Sequence, residues 1–150
     1  MSDPSTTPAP EGKSSAIEPA VGGKTKVLGL DYKVAGLLAY LPICAVNIIF
    51  SVIWLKTEPK ENRFLRFHAL QSLFLTIAFI LLGTVVWALT MFFAFIPFLG
   101  FIASLIHLVW LGITLVYLWK CISAMIDAYN GKMSKIEFVG DLAEKNLQNI

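Results

Sequence analysis

Charged side chains are missing from the middle of this 150-residue chain. Between Arg66 and Lys120 lie 53 residues without a single Asp, Glu, Lys or Arg, and charged residues make up only 15% of the sequence. A buried helix of a soluble protein does not need so long an apolar run, whereas two membrane spans of about 20 residues each do. The sequence therefore excludes an ordinary soluble domain and predicts an all-α integral membrane protein.

Cysteines, metal-ligand motifs and clustered basic charge are also scarce. Cys44 and Cys121 each stand alone in or beside an apolar segment, so we expect two small buried hydrophobic residues and no disulfide between them. The net charge is only +2, and Lys and Arg border the apolar runs instead of forming a stripe that could follow phosphates. The sequence thus predicts no metal, no cofactor and no nucleic-acid partner.

Three apolar segments have the length of a membrane-spanning helix. The predicted spans are residues 34–55, 67–95 and 101–129, within a membrane domain that covers residues 27–150. Pro42 is expected to bend the first span. The IPFLG segment at residues 96–100 supplies the only helix breakers of the long apolar stretch, which predicts a tight hairpin between the second and third spans.

The two ends of the chain differ from this apolar middle. Residues 1–26 are rich in Ser, Thr, Pro, Ala and Gly and lack aromatic residues, which predicts a disordered tail. After Lys132, apolar residues recur every three to four positions, which predicts a short amphipathic helix on the membrane surface, with a frayed tail as the alternative. The apolar positions are Val139, Leu142, Ala143, Leu147 and Ile150.

Charge predicts the orientation in the membrane. With three spans, the 56–66 loop and the C-terminus lie on one side, and that side carries most of the Lys and Arg residues that flank the spans. The positive-inside rule places this side in the cytoplasm. We therefore expect a multi-pass protein of a cell membrane with its N-terminus outside.

Uncharged polar residues inside the predicted spans are the candidate functional residues, because polar groups are costly in hydrocarbon. Counted at about 1.5 Å per residue, Asn47 and Gln71 lie at a similar depth near the cytoplasmic surface. By the same count, Thr90 and His107 lie at a similar depth near the opposite surface. We expect each pair to form a hydrogen bond between helices.

His68, Gln71 and Ser72 share one face of the second span through their spacing of three and four residues. Cys121 is expected at the same cytoplasmic boundary. A Ser or Cys nucleophile needs a base within about 3 Å and usually a third group that orients this base. No acid is placed to orient His68. We therefore expect a structural role, in which His68 caps the helix boundary or meets lipid phosphate together with Arg63 and Arg66.

The most specific motif comprises Arg66, Phe67, His68, Ala69, Gln71 and Ser72. It lies in KENRFLRFHALQSLFL (residues 60–75), which follows GLDYKVAGLLAYLP (residues 29–42). With these segments, residues 29–143 resemble a family of uncharacterised small membrane proteins of bacteria and archaea whose hallmark is an RFHA.QS motif. That family usually has a Pro where Glu137 stands here. It is distantly similar to the channel-like component of the chloroplast inner-envelope import translocon and to small magnetosome-membrane proteins.

Three functions remain open from the sequence. The first hypothesis is a non-enzymatic module of the lipid bilayer that assembles with itself or with a membrane-protein partner, as a translocon-like or membrane-organising subunit. A small transporter or conductance is the second hypothesis, although no charged residue lies mid-membrane to bind an ion. The third is a membrane enzyme that uses His68 with Ser72 or Cys121.

Overall fold

Five helices form the computed structural model, which describes residues 22–96 and 98–147. In chain order they are α1 (Tyr32–Ala39), α2 (Cys44–Thr57), α3 (Arg63–Ala94), α4 (Gly100–Tyr129) and α5 (Val139–Leu147). The described residues form no β-strand, so the predicted all-α class is confirmed. The predicted tail over residues 1–21 lies outside the described residues.

The first predicted span, residues 34–55, is not one helix. α1 ends at Ala39 and α2 begins at Cys44, because Pro42 between them has no N–H to donate and disfavours helical backbone in the residue before it. The Trp54 indole N–H donates to the Ala35 carbonyl at 2.9 Å, and the Asn47 amide donates to the Ala39 carbonyl. The end of α2 therefore lies beside the beginning of α1, and the two helices form an antiparallel hairpin.

The prediction of three spans is wrong. Among the described residues, only α3 and α4 are both long and apolar enough to cross a membrane. The 14 residues of α2 measure about 21 Å, which is less than the apolar core of about 30 Å. The α1–α2 hairpin therefore begins and ends at the same end of the α3–α4 pair.

The N-terminal residues lie at the end of the molecule that carries the basic loop. Lys26 N donates to the Glu58 carboxylate at 2.9 Å, and Thr25 is buried, with its N–H donating to the Leu30 carbonyl at 2.7 Å. Residues 22–26, which the sequence assigned to a disordered tail, thus belong to the fold. The expectation that the chain before the first predicted span and the 56–66 loop lie on opposite sides is wrong for residues 22–26, because it counted residues 34–55 as a crossing.

Helices α3 and α4 form the predicted long hairpin. α3 ends at Ala94 and α4 begins at Gly100, which confirms the position of the turn. At 32 and 30 residues the helices measure about 48 and 45 Å. Phe79 of α3 stacks on Trp110 and Tyr117 of α4, with ring centroids 4.9 and 4.0 Å apart.

The chain after α4 folds back over α3. The predicted C-terminal helix forms as α5, and its Ala143 is buried against Phe67 and Leu70 of α3. Lys135 pairs with Glu144 and Asp141, and these carboxylates raise the pKa of Lys135. α5 is therefore docked on α3, a contact that the prediction of an amphipathic helix on the membrane surface did not include.

The molecule consists of two parts with different surroundings. The packed base contains residues 22–76 and 117–147, and nearly all of the fully buried side chains lie there. The distal hairpin contains residues 77–96 and 98–116, whose large apolar side chains are mostly exposed. The candidate site lies in the packed base.

Candidate functional site

The RFHA.QS motif occupies the first turns of α3, and its side chains point into the packed base. Phe67, His68, Gln71 and Ser72 are at most 1% exposed, and Arg66 is 4% exposed. Asn62 caps the helix by accepting a hydrogen bond from Leu65 N at 3.2 Å. The α1–α2 hairpin covers this part of α3, and α5 covers it from another side. The motif is therefore enclosed by protein.

His68 connects three segments of the chain. Its Nδ1 lies 3.1 Å from the Tyr40 hydroxyl at the end of α1, and its Nε2 lies 3.0 Å from the Lys132 carbonyl. A carbonyl only accepts, so Nε2 carries the proton, and Nδ1 accepts the single hydroxyl proton of Tyr40. The rings of Phe64 and Phe67 meet the imidazole edge-on at centroid distances of 4.7 and 5.5 Å.

Both the nitrogen and the oxygen of the Gln71 side-chain amide form hydrogen bonds. Its Nε2 donates to the Tyr40 hydroxyl at 3.0 Å and to the Ser134 carbonyl at 3.1 Å. Its Oε1 accepts from Ile136 N at 3.3 Å. Gly140 approaches so closely that an added Cβ would lie 2.8 Å from this oxygen. His68 and Gln71 therefore fix the segment between α4 and α5 onto the packed base.

A second polar cluster supports the tip of the α1–α2 hairpin. Asn47 donates to the Ala39 carbonyl, which has lost its helical partner at the break, and accepts from Thr76 Oγ1 at 3.0 Å. Thr76 Oγ1 also lies 3.4 Å from the Tyr117 hydroxyl of α4. The bond from Asn47 provides the Ala39 carbonyl with a donor in place of the one lost at the helix break, as backbone inside a membrane requires.

Two further contacts secure α2. The hydroxyls of Ser51 and Ser72 lie 2.8 Å apart. Arg66 Nη1 donates to the carbonyls of Leu55 and Glu58 at 3.0 and 3.1 Å, at the end of α2 where the helix dipole favours a cation. Arg66 therefore caps a helix inside the protein, and the expected headgroup contact of His68 is replaced by bonds to Tyr40 and Lys132.

The two hydrogen-bonded pairs expected from depth do not form. Asn47 and Gln71 have the separate partners described above, because the depth count assumed that residues 34–55 form one crossing helix. The Thr90 hydroxyl is buried and has no partner among the described residues. His107 Nδ1 bonds the Ala103 carbonyl of its own helix at 3.0 Å. Both residues lie in the distal hairpin.

The hydrogen bonds separate His68 from the nucleophiles considered for catalysis. Ser72 bonds Ser51 and the Ala69 carbonyl, while both ring nitrogens of His68 have other partners. Cys44 and Cys121 are free cysteines. Over the described ranges, no group of three or more His, Cys, Asp or Glu side chains could hold a metal ion.

Sequence reasoning missed Tyr40, Thr76 and Tyr117. Each is a hydroxyl within an apolar segment, which is the signal that drew attention to Asn47 and Thr90. The central position of Tyr40 follows from the return of the chain at Pro42, which brings the end of α1 to His68 and Gln71.

Comparison with known proteins gives one family and several archaeal relatives. The model of the magnetosome magnetite crystal formation protein family matches residues 31–143. Two membrane proteins of Methanocaldococcus jannaschii are 36% identical over 126 residues (84% of this chain, 96% of the relative) and 35% identical over 118 residues (79% and 71%). A membrane protein of Archaeoglobus fulgidus is 32% identical over 117 residues (78% and 96%). No solved structure matches the chain.

Proposed function

The chain belongs to the magnetosome magnetite crystal formation protein family, a family of small membrane proteins, and we propose that it is a non-enzymatic, self-assembling subunit that organises the membrane or forms part of a translocon-like assembly. The packed base is a rigid scaffold in this proposal. The distal hairpin is the assembling part, since its apolar side chains are mostly free of protein contacts.

One observation carries this proposal: two side chains that each have an unpaired polar atom face outward from α4. Ser104 and His107 are exposed and three residues apart, so they lie on neighbouring positions of one helix face. Within the described chain the Ser104 hydroxyl has no partner, and His107 bonds only the Ala103 carbonyl of its own helix. His107 is seven residues from the start of α4, about 10 Å inside the hairpin.

The hydrogen bond of His107 makes this face self-complementary. Nδ1 donates to the Ala103 carbonyl, because a carbonyl only accepts, and in the neutral imidazole with this tautomer Nε2 is an acceptor. Ser104 provides a hydroxyl donor. In two parallel copies of α4 related by a two-fold axis, each Ser104 reaches the His107 of the other copy. Two otherwise unpaired polar groups of each copy are then satisfied within hydrocarbon.

The assembly is tested by native size in mild detergent. We expect a dimer or larger assembly for the unmodified chain, and self-association about tenfold weaker for His107→Leu, since two reciprocal hydrogen bonds are worth about 1–2 kcal/mol in lipid. Thr84→Val is the matched control, because Thr84 is exposed on the distal hairpin but its hydroxyl bonds the Ile80 carbonyl. A monomeric chain that retains no partner protein would contradict assembly altogether.

A cross-linking experiment locates the interface. In a chain with both native cysteines replaced by Ala, Ser104→Cys should form a disulfide-linked dimer in the membrane on mild oxidation. Leu81→Cys, on the exposed face of α3, should not. Assembly with cross-linking at Leu81 alone would move the interface from α4 to α3.

We further propose that the 56–66 loop, residues 22–31 and the C-terminus all face the cytoplasm of a cell membrane. Basic residues flank the spans at this end, which supports the orientation. The contact between Lys26 and Glu58 supports a shared side for the N-terminal residues. Cysteines introduced singly at the exposed residues Lys24 and Glu61 should react with an impermeant thiol reagent only after the membrane is opened. Reaction at Lys24 in intact cells would contradict the shared side.

A further inference from the structure

A groove between α1 and α4 changes from polar to apolar along its length. The part beside the beginning of α1 is a polar cavity of about 390 Å³, and the part further along α4 is an apolar cavity of about 290 Å³. The polar cavity is lined by Asp31, Lys33, Val34, Tyr129 and Asn130. The apolar cavity is lined by Leu37, Ile122, Met125, Ile126, Tyr129 and Asn130. Because Tyr129 and Asn130 line both cavities, the two form one continuous groove.

The groove follows the direction of a lipid in the bilayer. Its polar end lies at the end of α4 and the beginning of α1, the end of the molecule that carries the basic loop. Its apolar part descends from Asn130 to Ile122, about 12 Å towards the membrane interior. We infer that this groove binds a glycerophospholipid whose headgroup carries both a phosphate and a primary ammonium, with one acyl chain along α4.

The charges at the polar end select this headgroup. Lys33 is an exposed ammonium without a side-chain partner within the described chain, and it can pair with phosphate. Asp31 caps α1 by accepting from Lys33 N through Oδ1 at 2.9 Å, which leaves Oδ2 for a headgroup ammonium. A headgroup that carries phosphate alone would pair with Lys33 but would meet repulsion from Asp31. A phosphate with an ammonium pairs with both side chains.

The headgroup, and not the acyl chain, determines which lipid class the groove prefers. A lipid tail leaves hydrocarbon when it enters the groove and meets an equally apolar wall, so little hydrophobic free energy is gained. The shape of the groove orders the chain, while the polar contacts at the surface distinguish one lipid class from another.

The test measures which lipid the full-length protein retains from bilayers of equal amounts of phosphatidylethanolamine and phosphatidylglycerol, using native mass spectrometry. We expect retained phosphatidylethanolamine in excess of its share of the bilayer. Asp31→Asn keeps the helix cap, because Asn is an equally good capping residue. This variant should shift the retained ratio about fivefold towards phosphatidylglycerol, the effect of about one charge at the membrane surface.

Two further variants separate the polar and apolar parts of the groove. Lys33→Gln should reduce retention of both lipids, while Lys60→Gln, an exposed lysine on the 56–66 loop, should not change it. Ile126→Trp should fill the apolar part and remove the retained lipid although Lys33 is intact. The inference is overturned if the unmodified protein retains lipid in the proportions of the bilayer, or if Asp31→Asn leaves the ratio unchanged. Self-association through α4 is measured separately and does not depend on either result.

Discussion

The packed base and the distal hairpin share the helices α3 and α4, but they differ in whether buried polar groups have hydrogen-bond partners. In the base, Tyr40, His68, Gln71 and Thr76 are all fully buried, and each makes at least two hydrogen bonds. In the described part of the distal hairpin, the buried side chains are Thr90 and Ala103, and the Thr90 hydroxyl has no partner.

The difference follows from what surrounds α3 and α4. Near their basic end, the returning α1–α2 hairpin and the C-terminal segment bring backbone carbonyls and side chains from outside the helix pair. Further along, α3 and α4 have only each other, and the other faces carry Leu, Val and Phe side chains that are mostly exposed. Conformational specificity therefore lies in the base, and surface available for lateral contacts lies in the distal hairpin.

The largest loss of stability is expected from a substitution at Gln71, which interrupts the hydrogen-bond network of the base. Gln71→Leu removes three hydrogen bonds, to Tyr40, Ser134 and Ile136. At about 1 kcal/mol for each bond, the free energy of unfolding should fall by about 3 kcal/mol. SDS-induced unfolding in mixed micelles measures this loss, and limited proteolysis should show cleavage between α4 and α5. A loss below about 0.5 kcal/mol would refute the role of Gln71 as the anchor of this segment.

A second comparison uses one glycine from each part. In the base, a Cβ at Gly140 would lie 2.7 Å from Lys135 Cβ and 2.8 Å from Gln71 Oε1. Gly140→Ala should therefore destabilise the protein by about 2 kcal/mol through overpacking. In the distal hairpin, nothing lies within 4 Å of a Cβ added to Gly112. Gly112→Ala should leave the free energy of unfolding unchanged or raise it slightly, since Ala favours the helix.

Much of this architecture could be predicted from the sequence. The 53-residue stretch without charge and the breakers at residues 96–100 correctly predicted α3, α4 and their turn, because length and hydrophobicity decide membrane helices. The apolar spacing after Lys132 predicted α5. These features depend on local composition and periodicity.

The return of the chain at Pro42 could not be predicted in the same way. Residues 34–55 have the length and hydrophobicity of a spanning helix, and a Pro inside such a helix is usually tolerated as a bend. The break is stabilised by tertiary contacts, in which Asn47 and Trp54 donate to the carbonyls of α1. No local pattern contains these contacts. The predicted partners of Asn47 and Gln71 were wrong for this reason, and so was the prediction that residues 22–26 lie on the opposite side from the 56–66 loop.

Substitution of Thr by Val tests the comparison with one isosteric change in each part. Thr76 in the base is fully buried and bonds Asn47 and Tyr117. Thr76→Val leaves the Asn47 carbonyl oxygen without this donor, so the free energy of unfolding should fall by about 1 kcal/mol. The measurement is the same unfolding titration in mixed micelles. An unchanged midpoint would show that the cluster at the hairpin tip does not stabilise the fold.

The smallest effect is expected for the matching substitution in the distal hairpin. Thr90 is 7% exposed, and its hydroxyl is buried with no partner in the part of the chain that the structure describes. Thr90→Val removes no hydrogen bond within the chain and replaces an unsatisfied polar group by a methyl group of similar size, so the free energy of unfolding should stay the same or rise by up to about 1 kcal/mol. The titration is performed at protein concentrations low enough to keep the chain monomeric, which separates folding from assembly. A loss comparable to that of Thr76→Val would mean that Thr90 has a partner in the folded chain and that the distal hairpin, like the base, depends on buried hydrogen bonds.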